Sequence, residues 1–453
     1  MTDPDTSGQT GTVQQFYEAL VRSDTYSVKN LTLFQDNVLK DLLPFVAKHV
    51  PFYRNRLSPA LRSDGSFNPE GWAKLPILTA AEMRDNYEAL RPSEIPASHG
   101  SSARYVSSGS TGRSTAFYRS TLSEVAQNAA QYRHYHAFNL DAKQNLAMIR
   151  AFDSTLARSR PVPVDRTKVP WAADWFVHGT AGYAQPLSVF TPVGKQVEWL
   201  QGMGEIYLNT PPSNALAIAR YVARNPRSKP KLLAILTAGE PLTGEVRRQC
   251  LEYLGCKCIN LYSSAECGLI ACDCPAGNVM HVQSELCRAE VMNLSGKPAR
   301  PGDGGRMIVT PLYNFAMPLI RYDTGDLVRA ALSCSCGRNH LALEPDMGRP
   351  SNMFYRAPNK WFRPELDTSE MEGFVGQGRW QIIQTGLRAF DFRYMPKNTG
   401  AAIDKRRIRA TLNKALGRGT TVTIRPVAAL GPASSGKFQS ILNRFHVKRP
   451  TPI

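Results

Sequence analysis

The chain has 453 residues, more than a single hydrophobic core usually organises, so two or more domains are expected. Its composition, 42% hydrophobic and 20% charged with a mean hydropathy of −0.31, is typical of a globular protein and excludes wholesale disorder. A formal net charge of +18 is compatible with a nucleic-acid surface, a membrane surface or a site for anionic ligands, and the scattered basic residues favour a solvated surface.

The amino-terminal end carries no visible targeting signal. Residues 1–15 are polar, without a basic segment followed by an apolar one, and no apolar run approaches the roughly 18–20 residues that span a bilayer. These features predict a loose tail over residues 1–14 and a cytoplasmic protein.

Apolar periodicity and helix caps predict alternating helices and strands after the tail. In chain order we expect a helix over 121–138 that opens with a capping box at Thr121, a strand over 146–151, a helix capped by Ser213, a strand over 231–237, a helix over 243–254 and strands over 257–262, 306–312 and 319–323. Strand–helix–strand alternation favours an α/β fold with parallel strands, in which ligands bind at the carboxyl ends of the strands.

The pattern changes after Gly348-Arg349-Pro350. Strands over 381–385 and 390–394, a helix over 404–416 and a strand over 421–426 form a β-β-α-β set. We therefore expect a large multi-layer domain with mixed and parallel sheets over 15–349 and a small mobile α+β lid domain over 350–453.

A loop rich in hydroxyl groups and glycine precedes the first predicted helix. Its candidate anion-binding residues are Ser107, Ser108, Gly109, Ser110, Thr111, Gly112 and Arg113. Glycines allow several backbone N–H groups to converge on an anion, and hydroxyls and a guanidinium add donors. The loop is not a Walker A motif, and on its own such a cluster is as often a plain linker.

Later segments, taken with this loop, resemble the acyl-adenylate-forming (ANL) superfamily, and most closely its phenylacetate-CoA ligase and capsule-synthesis (CapK-like) branch. The segments that carry the resemblance are Ala238-Gly239-Glu240-Pro241, Tyr262-Ser263-Ser264-Ala265-Glu266, Ala316–Leu327, Gly348-Arg349 and Ser435-Gly-Lys437-Phe. The resemblance extends in order from Ser107 to Ser440 and implies ATP-dependent adenylation of a carboxylic acid followed by acyl transfer.

The resemblance also implies roles for single residues. Glu266 would hold Mg²⁺ beside the ATP phosphates, and Asp326 would accept from both ribose hydroxyls. Lys437 would bridge the attacking carboxylate and the α-phosphate. Arg349 is expected among the catalytic residues, and Arg338 among the nucleotide-binding ones.

The motifs depart from the family pattern at several positions. Ser110, Arg113 and Ser114 stand where Thr, Lys and Pro are common, and Ala265 replaces a Thr, which removes one hydroxyl donor to the α-phosphate. Gly348-Arg349 resembles the hinge motif of the family, in which an Asp commonly follows shortly after the Arg. Here Pro350 follows instead, and it stiffens the segment. The extent of lid rotation, and with it the second half-reaction, is therefore an open question.

Nine cysteines are unevenly placed, seven of them between Cys250 and Cys287. Clustering of this kind indicates metal binding or buried thiols before disulfides. By resemblance to a zinc site in part of the same branch, Cys274, His281, Cys334 and Cys336 are the expected ligands of a structural Zn²⁺, with Cys272 as a spare. The alternative is that all nine are ordinary core thiols.

The expected partners are a small carboxylic acid, ATP, and either coenzyme A or an amine or other nucleophile from natural-product biosynthesis. A homodimer stays open, and neither a membrane nor a specific nucleic acid is expected, since no binding motif accompanies the basic charge. Trp175, Phe176, His178 and Tyr183 either form an aromatic slot for the acid or belong to the core.

Overall fold

The computed structural model of the protein describes residues 7–106, 115–151, 169–277, 279–293, 295–345, 348–357, 360–376, 378–396, 403–430 and 440–445. Within these ranges the α-helices are α1 Ser7–Ser23, α2 Val28–His49, α3 Ala80–Asp85, α4 Thr121–Ala137, α5 Asp174–Val177, α6 Val193–Gln201, α7 Pro212–Arg224, α8 Gly244–Gln249, α9 Thr368–Phe374 and α10 Lys405–Leu416. Short 3₁₀ turns occupy Pro51–Tyr53, Ser58–Ala60, Pro69–Lys74, Ala97–His99, Pro226–Ser228 and Pro350–Asn352, and α8 continues as a π turn, Cys250–Leu254.

The strands before the lid region are β1 Ser102–Val106, β2 Ala116–Ser120, β3 Asn145–Arg150, β4 Val169–Pro170, β5 Tyr183–Ser188, β6 Ile206–Asn209, β7 Leu232–Ala238, β8 Cys258–Ser264, β9 Gly268–Asp273, β10 Met280–Val282, β11 Cys287–Met292, β12 Gly304–Pro311, β13 Tyr322–Arg329 and β14 Ala342–Leu343. The later strands are β15 Phe354–Ala357, β16 Lys360–Phe362, β17 Arg379–Gln384, β18 Ala389–Met395, β19 Thr421–Pro426 and β20 Ile441–Asn443.

A nine-stranded mixed sheet organises the larger part of the molecule, in the order β14-β10-β9-β8-β7-β6-β3-β5-β4. Its central strands β5, β3, β6, β7 and β8 run parallel, and the outer strands pair antiparallel. Alternate residues face opposite sides: Ile149 and Ile235 pack against the helices α6 to α8, while Leu146 and Leu236 pack beside Tyr135 of α4. The expected α/β class with a parallel core is confirmed.

A second, three-stranded antiparallel sheet, β11-β12-β13, brings its last strand close to the end of β8. The hairpin of β1 and β2 is antiparallel, with Tyr105 opposite Phe117. The largest apolar cluster joins α2, β9, β10 and this second sheet. The sheets therefore meet where the carboxyl ends of the parallel strands emerge.

The carboxyl-terminal region forms a four-stranded sheet, β19-β18-β17-β20, covered by α9 and α10. Ile408, Leu412 and Leu416 are the buried face of α10, as their spacing predicts, and Asp404 caps the helix. These residues share a core with Trp380 and Phe392. We keep the division into domains over 15–349 and 350–453 as a proposal.

Three predicted elements need correction. Residues Ser7 to Gln14 belong to α1 and not to a loose tail, because Val13, Phe16 and Leu20 recur at helical spacing and pack against α4. Ser120, and not Thr121, caps α4. The strand predicted over 319–323 begins only at Tyr322, since Arg321 has a left-handed backbone with φ of 51°.

Ser213 does not cap the next helix, because that helix already begins at Pro212 and its cap position is Pro211. Its buried face includes Ile218 and Val222, in agreement with the predicted spacing. Among the described residues, no helix is both long enough and apolar enough to span a membrane.

Candidate active site

The motif residues on β7 and β8 leave the parallel sheet side by side. Ala238, the last residue of β7, lies opposite Leu261, and Tyr262 follows on β8. Gly239 has φ of 82°, a conformation that favours glycine and turns the chain directly after the strand. The motif segments 238–241 and 262–266 therefore emerge at one edge of the sheet, where α/β sheets commonly bind ligands.

Glu240 has a structural contact of its own. Its Oε2 atom accepts from the Ser213 backbone N–H at 3.0 Å, in the first turn of α7. Pro211 at the cap position offers no side-chain acceptor, so Glu240 satisfies a helix N–H that would otherwise lack a partner. The carboxylate also lies at the positive end of the helix dipole.

The most specific arrangement joins three predicted residues from three segments. The Tyr262 hydroxyl donates to Asp326 Oδ2 at 2.8 Å, and Arg349 Nε donates to Asp326 Oδ1 at 2.8 Å. Thr324, which the sequence reasoning did not single out, accepts from the Asp326 backbone N–H at 3.2 Å. We refer to Tyr262, Asp326 and Arg349 as the carboxylate triad.

Close backbone contacts hold the triad in place. Leu327 and Gly348 exchange two backbone hydrogen bonds, at 2.7 and 3.1 Å, which fix Arg349 beside β13. A Cβ atom on Gly325 would lie 2.6 Å from Arg349 Nη1, and Gly325 has φ of 76°. The backbone conformation therefore favours glycine here, and a Cβ atom would displace the Arg349 guanidinium from its present position.

Burial raises the pKa of the Asp326 carboxyl above its usual range, while the neighbouring Arg349 cation and the Tyr262 hydroxyl oppose that rise. Burial also raises the pKa of Tyr262 well above its usual value, and the Asp326 charge adds to the effect. Tyr262 is therefore a neutral donor at physiological pH. A carboxylate has about four lone-pair positions, so Asp326 keeps acceptor capacity beyond its two partners.

Glu266 lies in the tight turn between β8 and β9. Ser264 Oγ accepts from the Cys267 backbone N–H at 3.0 Å and closes that turn. Within the described part of the chain, no lysine or arginine lies within 4.0 Å of the Glu266 carboxylate. Glu266 is therefore free to bind a cation.

One residue contacts this turn without having been predicted. Arg119 on β2 donates from Nη2 to the Ala265 carbonyl oxygen at 2.5 Å. Its signal in the sequence is slight: an arginine two residues after Phe117, on the same face of a strand that follows the glycine loop.

Two groups of predicted residues lie outside the described residues. They are the loop residues Ser107, Ser108, Gly109, Ser110, Thr111, Gly112 and Arg113, and the lysine Lys437. The flanking strands are described: β1 ends at Val106 and β2 begins at Ala116.

The predicted metal ligands Cys274, His281, Cys334 and Cys336 form one cluster, the thiol cluster. Their ligand atoms all lie within 4.8 Å of one another. The Cys274 and Cys334 sulfur atoms are 3.7 Å apart, and Cys336 Sγ lies 3.1 Å from His281 Nε2. The other ring nitrogen of His281 contacts the His340 carbonyl oxygen at 3.3 Å, which orients the imidazole towards the thiols.

The spare residue Cys272 lies elsewhere. It is buried among Leu20 of α1 and Ala126 of α4, so His281 and not Cys272 completes the group. All nine cysteines are free thiols, and Cys250, Cys256 and Cys258 are buried in the helix-covered core. Cys274, Cys334 and Cys336 differ from the other six cysteines in lying together beside an imidazole.

Arg338 belongs to the surroundings of the thiol cluster and not to the nucleotide candidates. Its backbone N–H lies 3.4 Å from Cys336 Sγ, and its Nη2 pairs with Asp24 Oδ2 at 2.7 Å. Asp24 also faces Arg133, which donates to Glu285 Oε1 at 2.9 Å. A buried network of charges thus connects the thiol cluster to the end of α1.

The proposed aromatic slot is largely a packing arrangement. Trp175 and Phe176 have ring centroids 5.0 and 4.8 Å from Tyr132, as core residues do. Phe176 and His178 also line a cavity of about 460 Å³ together with Tyr17. That cavity lies beside residues 139–143, which lead into the amino end of β3, whereas the carboxylate triad lies at the carboxyl end of β8.

No protein-family model matches the chain. It is 27% identical over 349 residues to a phenylacetate-coenzyme A ligase of Thermus thermophilus, covering 73% of each chain. It is 23% identical over 350 residues to the phenylacetate-coenzyme A ligase of Escherichia coli, covering 73% of this chain and 74% of that one. The chain is a homologue of the phenylacetate-coenzyme A ligases. Its fold matches that of 2-hydroxyisobutyryl-CoA ligase bound to 2-HIB-AMP, with a TM-score of 0.66 at 19% identity, over 94% of this chain and 90% of that one.

In this phenylacetate-CoA ligase homologue, the two ends of the segment 321–327 have separate tasks. Arg321 is buried and donates to both oxygens of Glu290 at 3.0 Å, and its Nη1 reaches the Ala73 carbonyl oxygen at 3.1 Å. These contacts hold the start of β13 against the second sheet. Asp326, five residues later, is left to face the nucleotide candidates.

Proposed function

We propose that this chain is an AMP-forming acid–CoA ligase, which adenylates a carboxylic acid with ATP and then passes the acyl group to coenzyme A. The carboxylate triad carries the proposal, because Tyr262, Asp326 and Arg349 come from three separate motifs of the resemblance and meet at one carboxylate. The homologous phenylacetate-coenzyme A ligases and the fold of a CoA ligase bound to an acyl-AMP support it.

In the proposed reaction, a carboxylate oxygen of the acid attacks the α-phosphorus of ATP, and the bond to the bridging oxygen of pyrophosphate breaks. Two anions must approach each other, so positioning and charge neutralisation provide most of the catalysis. Asp326 would hold the ribose diol, and Ala238, Gly239, Glu240 and Pro241 would line the adenine pocket. The Ser107–Arg113 loop would bind the leaving pyrophosphate, and Lys437 would neutralise the reacting oxygens.

Glu266 fits a Mg²⁺ ion at this site. Mg²⁺ commonly keeps several waters and takes only one or two protein carboxylates, so one partly exposed glutamate that forms no ion pair with any described lysine or arginine is a suitable ligand. A bound Mg²⁺ would neutralise charge on the phosphate oxygens. Ser263 and Ser264 end β8, Ala265 follows in the turn that carries Glu266, and all three would face the phosphates.

The thiol cluster fits a structural Zn²⁺ ion. Two thiolates that each bind zinc at about 2.3 Å with tetrahedral geometry are about 3.8 Å apart, and the Cys274 and Cys334 sulfur atoms are separated by 3.7 Å. Three thiols and one imidazole make a closed ligand set, which leaves no position for substrate. The ion would fasten β9, β10 and the segment 334–340 to one another and would take no part in the reaction.

The experiment that tests the function is ATP–pyrophosphate exchange over a panel of aryl and small aliphatic acids. At least one acid should stimulate exchange, and addition of coenzyme A should then convert it to a thioester. An amine in place of coenzyme A tests transfer to nitrogen, the alternative acceptor. Absence of exchange with every acid, from folded protein that binds ATP, would refute adenylation.

A paired substitution tests the role of the lysine. Lys437→Ala should reduce exchange by several orders of magnitude and leave ATP affinity within about twofold, because the ammonium is needed only as charge develops between the reacting oxygens. Lys414→Ala removes an exposed lysine from α10 in the same region and should have no effect. Equal exchange rates in both variants would exclude Lys437 from catalysis.

A further inference from the structure

Arg119 is held on one face of the hairpin formed by β1 and β2. Tyr105 and Phe117 are directly opposite each other in the register, and Arg119 follows two residues after Phe117, so the three side chains share a face. The guanidinium carbon lies 5.3 Å from the Tyr105 ring and 5.2 Å from the Phe117 ring. From this position Nη2 donates to the Ala265 carbonyl oxygen at 2.5 Å.

This guanidinium lacks the carboxylate partners of the fully buried arginines Arg133 and Arg321. Arg119 Nε is buried without a hydrogen-bond partner, and among the described residues no carboxylate lies within 4.0 Å of Arg119. Arg133 and Arg321, by contrast, each donate to both oxygens of a glutamate. A buried N–H without an acceptor is destabilising, so this donor needs an explanation, and an anionic ligand supplies one.

The two nearest carboxylates do not fill this need. Glu124 already accepts from the Tyr105 hydroxyl, and Glu266 lies on the turn that Arg119 holds, where it is the candidate Mg²⁺ ligand. Burial lowers the pKa of Arg119, though not enough to remove its charge at physiological pH. The site therefore holds a permanent cation with an unused donor beside the turn 265–267.

We propose that Arg119 binds the phosphates of ATP, donating its free N–H groups to a phosphate oxygen while its Nη2 holds the turn that carries Glu266. This inference rests on the proposed function, because it assumes that ATP binds at this edge of the sheet. A planar guanidinium suits a phosphate, to which it can donate two parallel hydrogen bonds. Ala265 offers no side-chain donor on the same turn, so Arg119 supplies what this sequence lacks there.

The test compares ligands with and without phosphates. Dissociation constants of Mg·ATP and of adenosine are measured by calorimetry for the wild type, Arg119→Met and Arg119→Lys. The methionine retains apolar contact with the two rings, and the lysine retains charge but not the planar fork. Arg104→Met removes one charge from the exposed face of the same hairpin and is the matched control.

Loss of one charge-assisted hydrogen-bonding group predicts a fall in ATP affinity of about 10- to 100-fold for Arg119→Met, with adenosine affinity unchanged. Arg119→Lys should lie between the wild type and Arg119→Met, and Arg104→Met should bind both ligands as the wild type does. If Arg119→Met does not fold, the ATP-to-adenosine ratio of Arg119→Lys decides.

The outcomes separate this inference from the proposed function. A wild type that binds neither ligand would refute the nucleotide site itself. A wild type that binds ATP, together with folded Arg119 variants whose ATP-to-adenosine ratio is unchanged, would overturn the role of Arg119 alone. Equal losses for ATP and adenosine would also overturn it, because they would mean that Arg119 only supports the turn.

Discussion

Asp326 offers the sharpest test of the nucleotide site, since its carboxylate is already held from two sides. We predict that Asp326→Asn removes the preference of the enzyme for a ribose over a 2′-deoxyribose. The substitution preserves size and shape but replaces one acceptor oxygen with an NH₂ group. That group cannot accept from the Tyr262 hydroxyl or from Arg349 Nε, each of which now donates at 2.8 Å.

The expected loss of ATP affinity follows from the hydrogen bond to the ribose that the substitution removes. A hydrogen bond to a charged group contributes about 1.5–3 kcal/mol, so loss of one ribose contact should weaken ATP binding by about 10- to 100-fold. The fold should tolerate the change, because Arg349 has 39% of its side chain exposed and water can replace the lost ion pair.

The assay is the ratio of the dissociation constants for 2′-deoxyATP and ATP. We expect the wild type to bind ATP at least about tenfold more tightly, and Asp326→Asn to bring the ratio close to one. Asp323→Asn is the control: Asp323 lies on the same strand but pairs with Arg306 at 2.9 Å. An unchanged ratio in Asp326→Asn, with the wild type discriminating, would refute the assignment of Asp326 to the ribose.

Three further predictions concern metal content and stability. Cys336→Ser should abolish zinc binding, measured by metal analysis as about one ion per chain in the wild type, whereas Cys287→Ser, a buried thiol outside the thiol cluster, should retain the metal. Burial and the nearby Arg338 and Arg133 lower the pKa of His134 to about 3. Because the unfolded chain binds this proton below about pH 6.5, stability should fall by about 1.4 kcal/mol per pH unit as the pH drops from 6.5, and His134→Leu should remove that slope from urea unfolding curves. Glu285→Gln should cost about 3–5 kcal/mol of unfolding free energy, because it removes the closest carboxylate of the buried Arg133 charge and leaves only the longer contact with Asp24 at 3.5 Å; a loss below about 1 kcal/mol would contradict the network.

The spacing of apolar residues was sufficient to predict an element where one apolar face of that element packs against one core. The strand–helix–strand order around β7 and β8 and the buried stripe of α10 both follow from spacing alone. Helix α1 has the same kind of stripe, at Val13, Phe16 and Leu20, and was missed because its polar first turn resembles a tail. The apolar spacing that identifies this helix is nevertheless present in the sequence.

The start of β13 could not be predicted in this way. Leu319 and Ile320 are buried and apolar, which is typical of a strand, yet Arg321 interrupts them with a left-handed backbone. That conformation is stabilised by contacts with Glu290 and with the Ala73 carbonyl oxygen, which lie 31 and 248 positions away along the chain. Only the tertiary structure brings these groups together.

The same distinction applies to the candidate site. The motifs named Tyr262, Asp326 and Arg349 separately, but the sequence contains nothing that pairs a tyrosine on one sheet with an aspartate on another. Arg119 could not be predicted from the sequence for a related reason. Its hydrogen-bond acceptor, the Ala265 carbonyl oxygen, lies 146 positions away, and only the structure shows that no described carboxylate pairs with it. Arg338 was assigned to the nucleotide, whereas its partner Asp24 lies at the end of α1.

The basic charge of the chain is also easier to interpret with the structure. Buried or partly buried pairs such as Arg133 with Glu285 and Arg321 with Glu290 hold separate elements together, so these cations form no surface for nucleic acid. Residues 350–453 contain 18 lysines and arginines against six acidic residues, and thus carry +12 of the net +18. The proposed function would place this region near ATP and coenzyme A, both polyanions, and its positive potential would raise their local concentration. A charge imbalance that suggests nucleic-acid binding when averaged over the whole chain is therefore concentrated in the part of the enzyme with the most reason to attract nucleotides.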